Sequence, residues 1–215
     1  MAASPANKAD RALLELYALF AGEALPPTLT SAAAQPPLYD GSTRLYMTYV
    51  CPYAQRAWIA RNCKGLQHKI LLVPIDLDDR PVWLSKIYPK NQVPCLEHNN
   101  KMIGESLDLI KYIDSNFEGP KLSPDDPEKQ GLAEELLAYS DTFNQAMMSA
   151  LTTKGAVTAD AEAALDKIEV SLSKFDDGPF FLGQFSLEMN GIAAYVQTKH
   201  DPQELLALTK KLLGI

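Results

Sequence analysis

The sequence predicts an α/β domain followed by an all-helical domain, and three observations carry that reading. Between residues 39 and 117, short runs rich in β-branched and aromatic residues alternate with helical periodicities. After residue 127 only helical patterns follow. Two stretches dense in proline, glycine and small residues, 22–41 and 119–127, separate these regions from the N-terminus and from each other.

Each element has a local reason. Thr43 to Val50 reads as a strand, and Cys51-Pro52 ends it. Tyr53 to Cys63 carries Ala54, Ala57, Trp58 and the stem of Arg61 at helical spacing, with Pro52 suited to the first turn, where its missing N–H has no partner. Lys69 to Ile75 is a buried-strand run, Asp76 to Asp79 a polar loop, and Pro81 to Tyr88 a short helix. Val93 to Glu97 is a strand, His98 to Lys101 is turn chemistry, and Met102-Ile103 is a brief return strand. Glu105 to Asn116 is an amphipathic helix with Leu107, Ile110 and Ile113 on one side. This β-α-β-α-β-β-α order is that of a thioredoxin-like domain. Three helices are expected beyond it: Glu128 to Thr152, Ala159 to Phe175 with Leu165, Ile168 and Leu172 in register, and Pro202 to Leu213. The divisions are therefore 1–38 as extension and linker, 39–117 as the α/β domain and 128–215 as the helical domain. A short helix is also expected over Asp10 to Phe20.

Composition excludes several functions. The 215-residue chain has a net charge of −7, which argues against a nucleic-acid partner, because phosphates are met by a basic face. No apolar run approaches a membrane-spanning length. Three cysteines, Cys51, Cys63 and Cys95, show no zinc or disulfide spacing and fit reduced thiols in a reducing compartment. No metal is expected. The N-terminus lacks the layout of a secretory signal, and its acids Asp10, Glu15 and Glu23 argue against a transit peptide.

Cys51 stands where a strand meets a helix. First-turn N–H groups have no intrahelical partner, and the helix dipole adds partial positive charge there. Both favour a thiolate nucleophile, and Arg56 is placed to add charge nearby. Cys63 closes the same helix, where the dipole opposes a thiolate, and Cys95 lies in a core strand; both read as small buried hydrophobes. Position 54 is alanine, so no CxxC pair exists to resolve a disulfide. A lone activated thiol must form a mixed disulfide with a small thiol, which a second thiol then releases. That requires a glutathione site, and the domain can supply one. Val93-Pro94 suits a cis-proline turn whose exposed backbone pairs with an extended peptide. Ser106 and the free N–H groups of its helix can hold a carboxylate, while Glu105 takes an amino group. The same pair serves equally well as a plain helix cap. Arg80 reaches toward a second carboxylate or is simply a solvated arginine.

The sequence resembles the soluble glutathione transferases with a catalytic cysteine, the plant lambda class first, then the omega and dehydroascorbate-reductase classes. The residues that carry the likeness are Tyr49-Val-Cys-Pro-Tyr-Ala-Gln-Arg56, Arg80-Pro-Val-Trp83, Asn91-Gln-Val-Pro-Cys-Leu-Glu97 and Gly104-Glu-Ser-Leu-Asp-Leu-Ile-Lys-Tyr-Ile-Asp114. The resemblance implies that Cys51 joins to glutathione, Val93 pairs with its cysteinyl part beside a cis Pro94, Glu105 and Ser106 hold its γ-glutamyl end, and Arg80 lies near its glycyl end. Lys90 has no counterpart in that pattern. The implied activity is glutathione-dependent thiol transfer and deglutathionylation of small aromatic or disulfide substrates, with dehydroascorbate reduction or ligand binding without turnover as alternatives. The expected partners are glutathione and a small molecule, with no nucleic acid and no membrane, in a monomer of the cytoplasm or a plastid.

One departure matters. In the family, a stretch like Phe180 to Leu187 leads into an aspartate-bearing start of a long buried helix; here Leu187 runs into Glu188-Met-Asn-Gly191. The expectation is an internal deletion near 187/188 of roughly 40 to 50 residues, judged against a helical domain of ordinary size. It would leave helical apolar faces exposed, repacked or shared with another chain.

Overall fold

A computed structural model describes residues 23–152 and 158–176. The expected helices at 10–20 and 202–213 and the junction at 187/188 lie outside the described residues. The described residues fall into two compact units, 23–120 and 121–176.

The first unit contains β1 (Thr43–Met47), α1 (Pro52–Cys63), β2 (Ile70–Pro74), α2 (Val82–Ile87), β3 (Cys95–His98), β4 (Lys101–Ile103) and α3 (Ser106–Asn116). The sheet order is β2-β1-β3-β4, with β1 parallel to β2 and antiparallel to β3, and β3 antiparallel to β4. The thioredoxin-like reading of the element order is met. β1 is central and all five of its residues are buried. It is shorter than the run of β-forming residues because its ladder to β2 runs out at Met47 opposite Pro74. β3 starts at Cys95, two residues later than expected, because Pro94 has no N–H to donate to a ladder. Asn99 and Asn100 turn the β3–β4 hairpin with φ of 49° and 59°, a region that asparagine tolerates.

Side chains alternate across the sheet. On one face Tyr46, Val73 and Cys95 pack with Trp83, Leu84 and Tyr88 of the α2 region. On the other, α1 and α3 pack together, burying Ala54, Ala57, Trp58, Leu109 and Ile113. In α3 the fully buried positions are Leu109 and Ile113, four apart; Leu107 and Ile110, expected to lead, are half-buried. The arm before β1 is held along the domain. The Leu29 N–H donates to the Pro74 carbonyl at 2.8 Å, extending the sheet past β2, and the Trp83 indole donates to the Ala33 carbonyl at 2.9 Å. Glu23 pairs with the fully buried Arg61, which also donates to the Ile70 carbonyl at 2.7 Å.

One strand pair carries buried charge. Glu97, 1% exposed, accepts from the Tyr46 hydroxyl at 2.8 Å, the Tyr39 N–H at 2.6 Å and Arg44 at 3.4 Å. Arg44 also forks onto Asp40 at 2.7 and 3.0 Å, and its hydrogen bond holds that carboxyl well below its ordinary range. Burial and then the Glu97 bond push the Tyr46 hydroxyl up, so it remains a donor. A buried charge survives only when its polar atoms are matched in this way.

The second unit pairs α4 (Pro127–Thr152) with α5 (Ala159–Leu172). The Thr158 hydroxyl caps α5 by accepting from the Ala161 N–H at 3.2 Å. Its buried positions are Ala161, Ala164 and Ser171, whereas Leu165 is 50% and Val170 71% exposed. Of the expected Leu165, Ile168, Leu172 stripe, Ile168 and Leu172 are half-buried beside these small residues, and Leu165 is the exposed one.

Replacing Glu97 with alanine leaves the Tyr46 hydroxyl and the Tyr39 N–H without their acceptor and Arg44 with Asp40 alone. We expect a loss of about 3–5 kcal/mol, read as a lower denaturant midpoint, with an unchanged slope if the native state stays compact.

Candidate active site

Strand direction decides what meets at one end of the sheet. β1, β2 and β4 run the same way, so their carboxyl ends share an edge, and antiparallel β3 begins there. The segment after β1 brings Cys51 and Tyr53, and the segment after β2 brings Leu77 and Arg80. Tyr88, Gln92, Val93 and Pro94 arrive ahead of β3, and Glu105 and Ser106 follow β4. These ten residues line one cavity of about 250 Å³. All six residues singled out from the sequence, Cys51, Arg80, Val93, Pro94, Glu105 and Ser106, are among them.

Cys51 is the residue immediately before α1, in extended conformation (φ −98°, ψ 120°), with Pro52 in the first turn and no acidic side chain there. Its carbonyl accepts the first helical bond from Gln55 at 3.0 Å, and the thiol is half-buried. Arg56 does not serve simply as a counter-charge: its guanidinium donates to the Ser106 hydroxyl at 3.1 Å and lies 4.9 Å over the Tyr53 ring. That bond ties the start of α1 to the start of α3. A hydroxyl that accepts from arginine keeps its own proton to donate.

The Val93–Pro94 bond is cis. Among the described residues no protein hydrogen bond uses the Val93 backbone N–H or carbonyl. Glu105 precedes α3 with φ of +66°, a left-handed conformation that costs a non-glycine residue about 1–3 kcal/mol. Arg80 is bound to its own surroundings, donating to the Asn91 carbonyl at 2.7 Å and the Leu77 carbonyl at 3.0 Å.

Sequence reasoning missed four lining residues: Tyr53, Leu77, Tyr88 and Gln92. Gln92 was legible as the neighbour of Val93-Pro94, and Tyr53 as a first-turn residue of α1. Tyr88 was not, because its place depends on Gly104: a side-chain carbon there would collide with the Tyr88 hydroxyl and ring. Burial raises the Tyr88 hydroxyl above its ordinary value, so it stays protonated. Lys90 forms an ion pair with Glu105.

The other thiols are sealed. Cys63 is 2% and Cys95 0% exposed. Burial pushes Cys63 up to about 11 and Cys95 up to about 12, the latter with a further contribution from Glu97. Among the described residues no group of three or more His, Cys, Asp or Glu could hold a metal ion, and no helix is long and apolar enough to cross a membrane.

Comparison with known proteins identifies relatives of this chain. The family model for the glutathione S-transferase N-terminal domain matches residues 45–121. Protein IN2-1 homolog B of Oryza sativa subsp. japonica is 57% identical over 83% of this chain and 88% of its own length. Glutathione S-transferase L2, chloroplastic, of Arabidopsis thaliana is 51% identical over 86% of this chain and 75% of its own. The solved glutathione transferase Omega 3C of Trametes versicolor superposes with a TM-score of 0.58, is 26% identical, and the match covers 78% of this chain and 70% of that one. The chain belongs to the glutathione S-transferase family, in its lambda class. It is thus a glutathione-dependent transferase by family, with glutathione as co-substrate.

Thiol titration separates the three cysteines. With an aromatic disulfide reagent at pH 8, we expect one thiol per native chain to react, lost in Cys51→Ser, and all three to react in guanidinium. Rapid reaction of a second native thiol would contradict the burial described for Cys63 and Cys95.

Proposed function

We propose that the protein is a thiol transferase that removes glutathione from small substrates through a mixed disulfide on Cys51. The observation that carries this reading is the joint placement, in one cavity, of a thiol at a helix start and an unsatisfied Val93 backbone, with alanine at position 54. Glutathione lies along Val93 as an added strand, its cysteinyl sulfur against Cys51. Its γ-glutamyl ammonium pairs with Glu105. The adjoining carboxylate receives the Ser106 proton and the first N–H groups of α3. Arg80, held by two carbonyls, faces the glycyl end.

With a mixed disulfide as substrate, the Cys51 thiolate attacks the glutathione sulfur. The Cys51–glutathione bond forms, and the other sulfur leaves as a thiolate and takes a proton. A second glutathione thiolate then attacks the glutathione sulfur held on Cys51, releasing oxidised glutathione and restoring the Cys51 thiolate. The substrate's mixed disulfide and one glutathione thereby become the free substrate thiol and oxidised glutathione, an exchange that needs no outside oxidant or reductant. With a thioether conjugate, the leaving carbon must carry the electron pair until it is protonated, which favours aromatic substrates that delocalise it.

We also propose the internal deletion near 187/188. The alignment to the rice relative runs over 215 positions while covering 83% of this 215-residue chain, which supports gaps on this side. The residues that line the proposed glutathione site all lie between Cys51 and Ser106. A monomer of the cytoplasm or a plastid remains our reading; the name of the Arabidopsis relative supports the plastid.

The test is the intact mass of the protein after incubation with oxidised glutathione, beside Cys51→Ser. We expect one glutathione adduct, absent in the variant and removed by reduced glutathione. No adduct on folded protein would remove the mechanism.

A further inference from the structure

Lys90 has no role in the site as built so far. Its ammonium pairs with Glu105, the carboxylate assigned to the γ-glutamyl ammonium, and the two side chains are 56% and 58% exposed. A pair this exposed is weak in water, so a ligand exchanges it readily. The turn that carries Lys90 is nevertheless fixed. The Asn91 N–H donates to the Tyr88 carbonyl at 2.8 Å, and Arg80 donates to the Asn91 carbonyl at 2.7 Å. The side chain of Lys90 is exposed on an anchored backbone. Its charged surroundings are Glu105 and Asp108, with the Tyr88 hydroxyl beside it; the Glu105 bond raises its pKa, so it is cationic throughout the neutral range.

A γ-glutamyl group carries its ammonium and its α-carboxylate on the same carbon. Once the ligand ammonium occupies Glu105, Lys90 loses its partner, and the nearest new anion is that carboxylate. We propose that Lys90 is a specificity residue for the γ-glutamyl carboxylate, exchanging Glu105 for it when ligand binds. The exchange leaves four charges alternating in sign: Glu105, ligand ammonium, ligand carboxylate and Lys90. Ser106 and the α3 N–H groups approach the same carboxylate from the helix side. The device rewards a ligand that carries both charges and penalises one carrying the ammonium alone. This rests on the glutathione-site reading given above.

The test uses the full chain and measures protection of Cys51 from iodoacetamide by two ligands. One is S-methylglutathione. The other is the same peptide with γ-aminobutyrate in place of the γ-glutamyl group, which keeps the ammonium and lacks the α-carboxylate. In Lys90→Met we expect the protecting concentration of S-methylglutathione to rise about tenfold, while that of the analogue changes less than twofold; Lys90→Arg retains most of the discrimination. Equal losses for both ligands, or tighter binding of S-methylglutathione to Lys90→Met, overturn the proposal and make Lys90 a general surface charge or a mere competitor. If S-methylglutathione fails to protect wild-type Cys51 at all, the glutathione-site reading falls, and this proposal with it.

Discussion

The site depends on one constraint, the pairing of β1 on both edges. Because β2 runs parallel to it and β3 antiparallel, four chain segments are delivered to a single end of the sheet. A one-residue slip of β1 would send Leu45 and Met47 to the face of Arg44 and Tyr46 and break the match between Tyr46 and Glu97. The buried ion and hydrogen-bond group at Glu97 thus fixes register as well as stability, and register in turn sets where Cys51 and Val93 stand relative to each other. The arm that starts near Glu23 reinforces the same frame through Arg61, Pro74 and Trp83.

On that frame the cavity is built from helix starts rather than from unusual side chains. Two helix starts, of α1 and α3, face one cavity, and the Arg56–Ser106 bond joins them. The first places a thiol beside unpaired N–H groups; the second offers N–H groups and a hydroxyl to an anion. Between them the Val93 backbone has no hydrogen-bond partner among the described residues, which suits a peptide ligand. The two remaining thiols are buried deeply enough to be silent. Of the three thiols, Cys51 is the one open to solvent, at a helix start.

Much of this was legible in the sequence, and the part that was not has a physical reason. Elements made of contiguous β-branched or periodic apolar residues were readable, as was Cys51-Pro52 as a helix start, because these are local properties. The Arg44–Glu97–Tyr46 group was not readable: a glutamate near the end of a short strand looks solvent-facing until a partner 53 positions away is known. The same holds for the Glu105 backbone, whose positive φ no local residue type announces, and for Lys90, whose partner is 15 positions distant. In α5 the apolar periodicity included Leu165, but the buried positions are the small residues Ala161, Ala164 and Ser171.

The central claim is that one preformed cavity holds glutathione by its main chain and γ-glutamyl end while Cys51 takes its sulfur. A crystal structure of the protein treated with oxidised glutathione tests it most directly. The account predicts a disulfide to Cys51, the ligand backbone paired with Val93, and the γ-glutamyl group between Glu105 and Ser106. Glutathione linked to Cys51 but turned away from those three residues, or linked to Cys63 or Cys95 instead, would contradict it.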